Sequence, residues 1–249
     1  MKPMALAKWA AGSLGLALVS CTTASTAVIP ECQADSVNER GQVLEPGTGA
    51  RPVVLGYKDE RQRQALLGLI YTADRVTVDP VNAALRVDAT DGGQAREAFD
   101  RGLAQVQRNA TLAGLAAHTR AVLLSPGEAL MYEGLGDALR MARLEPRAEA
   151  AYRTGLDLEP SATLHVKLAE MLWMRAARGP AIEEALHAIA ADSANERAIT
   201  NLARWYYFTG SYSLAWEYVH RAEALGAPLP SQFRPLLAGR MPEPSSAPR

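Results

Sequence analysis

From Lys58 onward, apolar residues recur at steps of three and four, the spacing of one face of an α-helix. Ala65, Leu66, Leu69, Ile70 and Ala73 predict an amphipathic helix over 58–75. Val76-Thr77-Val78-Asp79-Pro80 interrupts it, and Asp91-Gly92-Gly93 marks a second break. The pattern then predicts helices over 94–108 and 110–124, separated near Asn109, with Pro126 beyond. Two other textures precede Lys58. Trp9 to Val19 is a continuous apolar run, whereas residues 22–57 are rich in Thr, Ser, Ala, Gly and Pro and sustain no period, which predicts a flexible spacer. Gly47-Thr48-Gly49 lacks the third glycine and the strand-turn-helix setting of a dinucleotide loop. Val53-Val54-Leu55 predicts a short strand or a docking segment.

An internal repeat organises the rest. Tyr132, Leu135, Gly136, Leu139, Ala148, Tyr152, Gly155 and Pro160 stand at offsets 4, 7, 8, 11, 20, 24, 27 and 32 of one unit. A second unit near Ala162 offers Leu168, Ala169, Leu172, Ala181, Ala185 and Ala188, with Gly179-Pro180 as its turn. A third near Glu196 offers Leu202, Ala203, Tyr206, Ala215, Val219 and Ala222, with Gly210 and Tyr212 in the turn. The units start at 129, 162 and 196, an almost constant step. This chain resembles the tetratricopeptide-repeat family, whose unit is a helix–turn–helix of about 34 residues. The residue types suit that unit. Gly136 and Ala148 are small where two antiparallel helices cross, Tyr152 fills the space beside them, and Pro160 ends the second helix. An earlier unit at 95–128 is degenerate: Gly102, Ala121 and Pro126 fit, but Arg101 occupies an apolar offset. Residues 229–239 (Leu229, Phe233, Leu236, Leu237) predict a helix capping the last apolar face, which a stack of repeats requires. Met241 to Arg249, with three prolines and two serines, predicts a disordered tail.

The beginning of the chain reads as an address. Lys2 and Lys8 flank the start of the apolar run, and no acid occurs before Glu31. Such a run is too short to span a bilayer and fits a secretory signal. Leu18-Val19-Ser20-Cys21 resembles the bacterial lipoprotein signal, which implies an acylated Cys21 as the first mature residue. Thr22, where that family uses Asp for retention at the inner membrane, implies the outer membrane. An ordinary signal cut after Ala27 is the alternative. Several acyl chains together anchor stably, at about 0.8 kcal/mol for each buried CH₂. Cys32 is left as a free or intermolecular thiol.

The expected architecture is therefore all-α, a tetratricopeptide-repeat helical-hairpin solenoid behind a signal peptide and tether. Its divisions are 1–20 (signal), 21–57 (tether), 58–124 (N-terminal helices with the degenerate repeat), 125–228 (repeats) and 229–249 (cap and tail). In the family the first helix of each repeat lines a concave groove. The resemblance places Glu133, Asp137, Arg140 and Met141 there, then Val166, Glu170, Trp173 and Met174, then Arg197, Thr200, Arg204, Tyr207 and Phe208. Consecutive aromatics at 205–208 cannot share one helix face, and Tyr207 is the expected groove-facing member. Glu133, Asp137, Val166 and Glu170 replace the Lys and Asn with which the chaperone-binding subgroup grips a C-terminal carboxylate.

Charge and chemistry narrow the function. The chain has 26 Lys+Arg against 27 Asp+Glu, which excludes a nucleic-acid binder that depends on phosphate attraction. Two cysteines exclude a disulfide scaffold or thiolate zinc cluster. His118, His165, His187 and His220 show no four-residue helical spacing, so no metal site and no cofactor is expected. Glu183-Glu184 reads as a solvated first-turn acid pair. Neither a nucleophile elbow nor a phosphate loop is present, so an enzyme is not expected; the alternative would site one in 58–124. The chain most resembles small repeat lipoproteins of pilus and secretion machines, such as the tight-adherence pilus assembly lipoprotein and the secretin pilotins. That resemblance implies a lipid-anchored periplasmic scaffold holding a protein partner, a secretin or pilus component, in its groove. A scaffold in cell-wall or polysaccharide export is the alternative, and the aromatic last repeat also suits self-association.

Overall fold

The computed structural model describes residues 60–244. The signal, Cys21, Cys32, the tether and Val53-Val54-Leu55 all lie outside the described residues. The described chain runs α1 (Glu60–Ala65), β1 (Leu69–Tyr71), β2 (Val76–Val78), α2 (Pro80–Ala83), α3 (Gly92–Gln107), α4 (Thr111–Leu124), α5 (Ala129–Met141), α6 (Glu145–Leu158), α7 (Ala162–Met174), α8 (Arg178–Ala191), α9 (Glu196–Phe208), α10 (Tyr212–Leu225) and α11 (Phe233–Ala238). Helices α3 to α10 form four antiparallel hairpins, each packed on the next, with one continuous core through them.

The expected helix over 58–75 is corrected by the structure: it stops at Ala65. Gly68 adopts φ +99°, which the helix cannot continue through. Leu69 and Tyr71, alternate residues of one strand, are both buried, so the same residues satisfy a strand's period of two. Val76-Thr77-Val78 supplies the β-branched partner, in the register Leu69↔Val78, Ile70↔Thr77, Tyr71↔Val76. The turn is tied by Thr72, whose hydroxyl donates to Asp74 at 2.9 Å and accepts from the Arg75 N–H at 3.0 Å. This β-hairpin docks on the second helix of a repeat. The Val76 N–H donates to Thr154 Oγ1 of α6 at 2.8 Å, and Arg75 pairs with Asp157 at 3.0 Å.

The degenerate unit at 95–128 is a full hairpin, α3–α4. Arg101 is simply exposed. A size rule governs its centre and that of the next. Gly102 lies against the His118 ring, and Gly136, one repeat on, lies against the Tyr152 ring; a methyl at either glycine would overlap the ring. The third and fourth hairpins pair Ala169 with Ala185 and Ala203 with Val219 at the same register, all buried. A missing Cβ on one helix thus makes room for a ring on the other, and interiors tolerate neither overlap nor void.

All four hairpins also turn in the same way. Asn109, Arg143, Ala176 and Gly210, one in each hairpin at the repeat spacing, take a left-handed conformation. The next N–H in each returns to a carbonyl near the helix end: Ala110 to Gln105 at 2.9 Å, Leu144 to Leu139 at 2.9 Å, Ala177 to Leu172 at 3.0 Å and Ser211 to Tyr206 at 2.9 Å. That bond closes a helix C-terminus and launches the return helix. The turn between α7 and α8 is therefore made at Ala176, not at Gly179-Pro180, which stand in the first turn of α8. Pro180 is tolerated there because the first N–H groups of a helix have no intrahelical partner. First helices start on side-chain caps where the sequence provides them: Asp91 for α3, Ser161 for α7, Asn195 for α9. Pro160 lies just beyond α6, as its ring requires.

At the far end Phe233 and Leu237 of α11 are buried against the last hairpin, while Leu236 is exposed. The expected tail is corrected at its start. The Trp216 indole N–H donates to the Met241 carbonyl at 3.0 Å, and Glu243 bonds Arg234 at 2.7 Å and His220 at 2.8 Å. Residues 241–244 therefore belong to the cap.

Candidate functional site

The first helices α5, α7 and α9 stand side by side, and their facing residues form a ladder of ion pairs. Lys167 of α7 reaches back to α5, to Glu133 at 2.7 Å and Asp137 at 2.5 Å. Asp137 also accepts the Tyr152 hydroxyl at 2.7 Å. Glu170, one helical turn beyond Lys167, pairs forward to α9. Arg197 grips it through Nε at 2.5 Å and Nη2 at 2.6 Å, and Asn201 adds a bond at 3.0 Å. The bidentate pair holds the Arg197 guanidinium above its ordinary range, chiefly through the hydrogen bond to Glu170. The acids expected in the groove, Glu133, Asp137 and Glu170, thus spend their charge on neighbouring repeats. Their geometry fixes one first helix against the next.

The exposed apolar side chains lie toward the C-terminal ends of these helices. Met141, Met174 and Phe208 are the last residues of α5, α7 and α9. They recur at the repeat spacing and are 39%, 62% and 59% exposed. Beside them Trp173 is half-buried and stacks on Trp205 of α9, with ring centroids 4.8 Å apart and planes within 10°. Phe208 sits 6.4 Å from the same ring and the Arg178 guanidinium 5.8 Å from it. Arg140 and Arg204 are exposed nearby in the same helices. The result is a row of apolar and aromatic side chains flanked by arginines.

Two expected members fall elsewhere. Tyr207 is half-buried, 5.6 Å from Phe233 of the cap and 5.9 Å from Tyr212. The aromatic of that run that faces solvent is Phe208, because the capping helix covers the face on which Tyr207 lies. Val166 is buried with Ala188 and Ala198 between hairpins. Sequence reasoning missed the Trp173–Trp205 stack. Its signal was available: Trp205 falls just short of one repeat step after Trp173, so the two meet diagonally across adjacent first helices.

Buried polar groups sit away from this row. His118 is enclosed beside Phe99, 5.3 Å between centroids, and its Nδ1 has no hydrogen-bond partner. Burial pushes its imidazole down to about 4, against the opposing pull of Asp137. Among the described residues of 58–124, where the alternative reading would put an enzyme, Asp79 and Asp91 cap helices and Arg86 donates to the carbonyls that end α1. No described helix is long and apolar enough to cross a membrane.

No family model matches this chain, and no curated protein matches it. Solved structures do. It resembles MamA, with 18% identity and a TM-score of 0.53 over 60% of this chain and 84% of that one. It also resembles Pseudomonas aeruginosa PilF, with 18% identity and a TM-score of 0.54 over 59% of this chain and 69% of that one. A further MamA structure aligns at 20% identity and a TM-score of 0.51. At such identities the likeness is one of fold: a tetratricopeptide-repeat helical-hairpin solenoid.

Proposed function

We propose that this protein is a protein-binding scaffold whose first-helix face holds a partner. On this reading Cys21 is acylated and anchors the chain at the outer membrane, with the repeats in the periplasm. The partner is a component of a pilus or secretion machine, a secretin or a pilus subunit. The observation that carries the binding reading is the row Met141, Met174 and Phe208, repeated at one register and backed by the Trp173 ring. Exposed apolar residues repeated in line mark an interaction surface, and aromatics with arginine supply most interface energy. The fold likeness to PilF is in keeping with the pilus-lipoprotein resemblance of the sequence. The Leu18-Val19-Ser20-Cys21 run supports the anchor.

The test is photo-crosslinking in cells from Met174 and Phe208, with Glu183 on α8 as the control position and mass spectrometry of what is captured. The expected result is a secretin or pilus component captured from the two first-helix positions and not from Glu183, with capture falling in a Cys21→Ala strain. Capture of only the protein itself, or of export-machine proteins, overturns the machine assignment. Equal capture from Glu183 overturns the groove.

A further inference from the structure

The α7–α8 hairpin brings together three side chains that the chain order keeps apart. His165 comes from α7, Glu184 and His187 from α8. One ligand atom from each lies within 4.8 Å of the other two. His165 Nδ1 is 2.7 Å from Glu184 Oε2, and His187 Nδ1 is 3.9 Å from the same oxygen. The two rings sit edge to face at 5.4 Å. An ordinary ion pair would account for His165 and Glu184 alone. His187 brings a second imidazole within reach of the same oxygen.

We propose that His165, Glu184 and His187 form a binding site for a divalent transition metal of the zinc class. Two imidazoles and one carboxylate are the donors of open zinc sites, in which a fourth position is left to water. Bonds of about 2.0–2.2 Å place tetrahedral ligand atoms roughly 3.3–3.5 Å apart. The observed separations of 2.7 and 3.9 Å bracket that value, so small side-chain rotations close the site. Glu184 and His187 are three apart and share one helix face. His165 and Glu184 are partly shielded, with side chains 17% and 22% exposed, while His187 at 62% leaves the open position toward solvent. Imidazole ligands disfavour calcium and magnesium, which take oxygen.

The site also has a structural consequence where the solenoid is thin. His165 holds the place that Tyr132 fills one repeat earlier, and α8 buries only Ala181, Ala185 and Ala188. A metal bound to both helices would clip α8 to α7 where apolar packing is weakest. This inference is independent of the first-helix face proposed for the partner.

The test uses the untagged full chain carrying Cys21→Ser and Cys32→Ser, so that neither thiolate competes, stripped with a chelator and titrated with zinc chloride by calorimetry. One equivalent should bind saturably and raise the thermal midpoint; cobalt(II) should give the visible bands of a tetrahedral site. His187→Ala, at an exposed position that leaves the core intact, should weaken binding at least tenfold and abolish the midpoint shift, and Glu184→Gln should do the same. Absence of saturable binding overturns the proposal. So does binding that is unchanged in both variants.

Discussion

The α5–α6 and α7–α8 hairpins follow the same template one repeat apart, yet they are held together differently. In α5–α6 a glycine admits a whole tyrosine ring, and α6 is covered on its outer side by the N-terminal β-hairpin. Two of the charged residues of α6 are buried: Arg147 lies 5.7 Å from the Tyr71 ring, and Glu149 pairs with Arg153 and Arg175. In α7–α8 alanine meets alanine, and Leu186 and Glu183 of α8 face solvent. The repeat pattern therefore specifies topology and register, while the strength of each unit depends on what fills the small-residue gap and what covers the second helix.

The largest expected effect comes from emptying the strong hairpin. Tyr152→Ala should cost about 3–5 kcal/mol, as for other buried aromatics, whereas Ala185→Gly at the same register in α8 should cost only about 1 kcal/mol. Urea denaturation of the two variants checks this, and similar losses would erase the contrast. Next comes acid. The folded imidazole of His118 titrates near 4, below the ordinary histidine range, so the unfolded chain binds the extra proton first. Stability is then full above about pH 6.5 and is lost as pH falls toward 4, by on the order of 3 kcal/mol. His118→Phe keeps a ring beside Gly102 and should flatten that slope in midpoints measured across the range. An unchanged slope would assign the acid sensitivity elsewhere. The smallest effect belongs to the turns. Ala176→Gly removes left-handed strain of about 1 kcal/mol but adds unfolded-state freedom, for a net gain of about 0.5 kcal/mol, while Gly210→Ala should lose about 1 kcal/mol. Arg143→Gly should match Ala176→Gly in thermal midpoint if the hairpins differ only in their interfaces.

Much of this was legible because it is local or periodic. Gly136, Ala148, Tyr152 and Pro160 do what their offsets imply. The expected helices over 94–108 and 110–124 stand at Gly92–Gln107 and Thr111–Leu124, parted at Asn109. What stayed hidden depends on contacts far along the chain. Leu69 and Ile70 fit a helical face until Val76–Val78 and Thr154 offer them a sheet. Tyr207 reads as exposed until Phe233 covers it. The turn at Ala176 carries no glycine to announce it, and Gly179-Pro180 draws the eye to a point already inside α8. Glu133, Asp137 and Glu170 fall on the expected helices, but Lys167 and Arg197 that neutralise them belong to the neighbouring repeats.

The β-hairpin on α6 also has a mechanical meaning. Tension applied through the segment before Glu60 enters the molecule at α1 and β1, not at a repeat. It meets Leu66, Leu69 and Tyr71, all buried, and the bond from Val76 to Thr154. A pull is thereby delivered sideways into the second helices α4 and α6, against which α1 and β2 rest. The first helices α5, α7 and α9, which carry the row from Met141 to Phe208, make no comparable contact with α1, β1 or β2. A protein suspended from its N-terminus would load the β-hairpin and the second helices before the helices that carry that row.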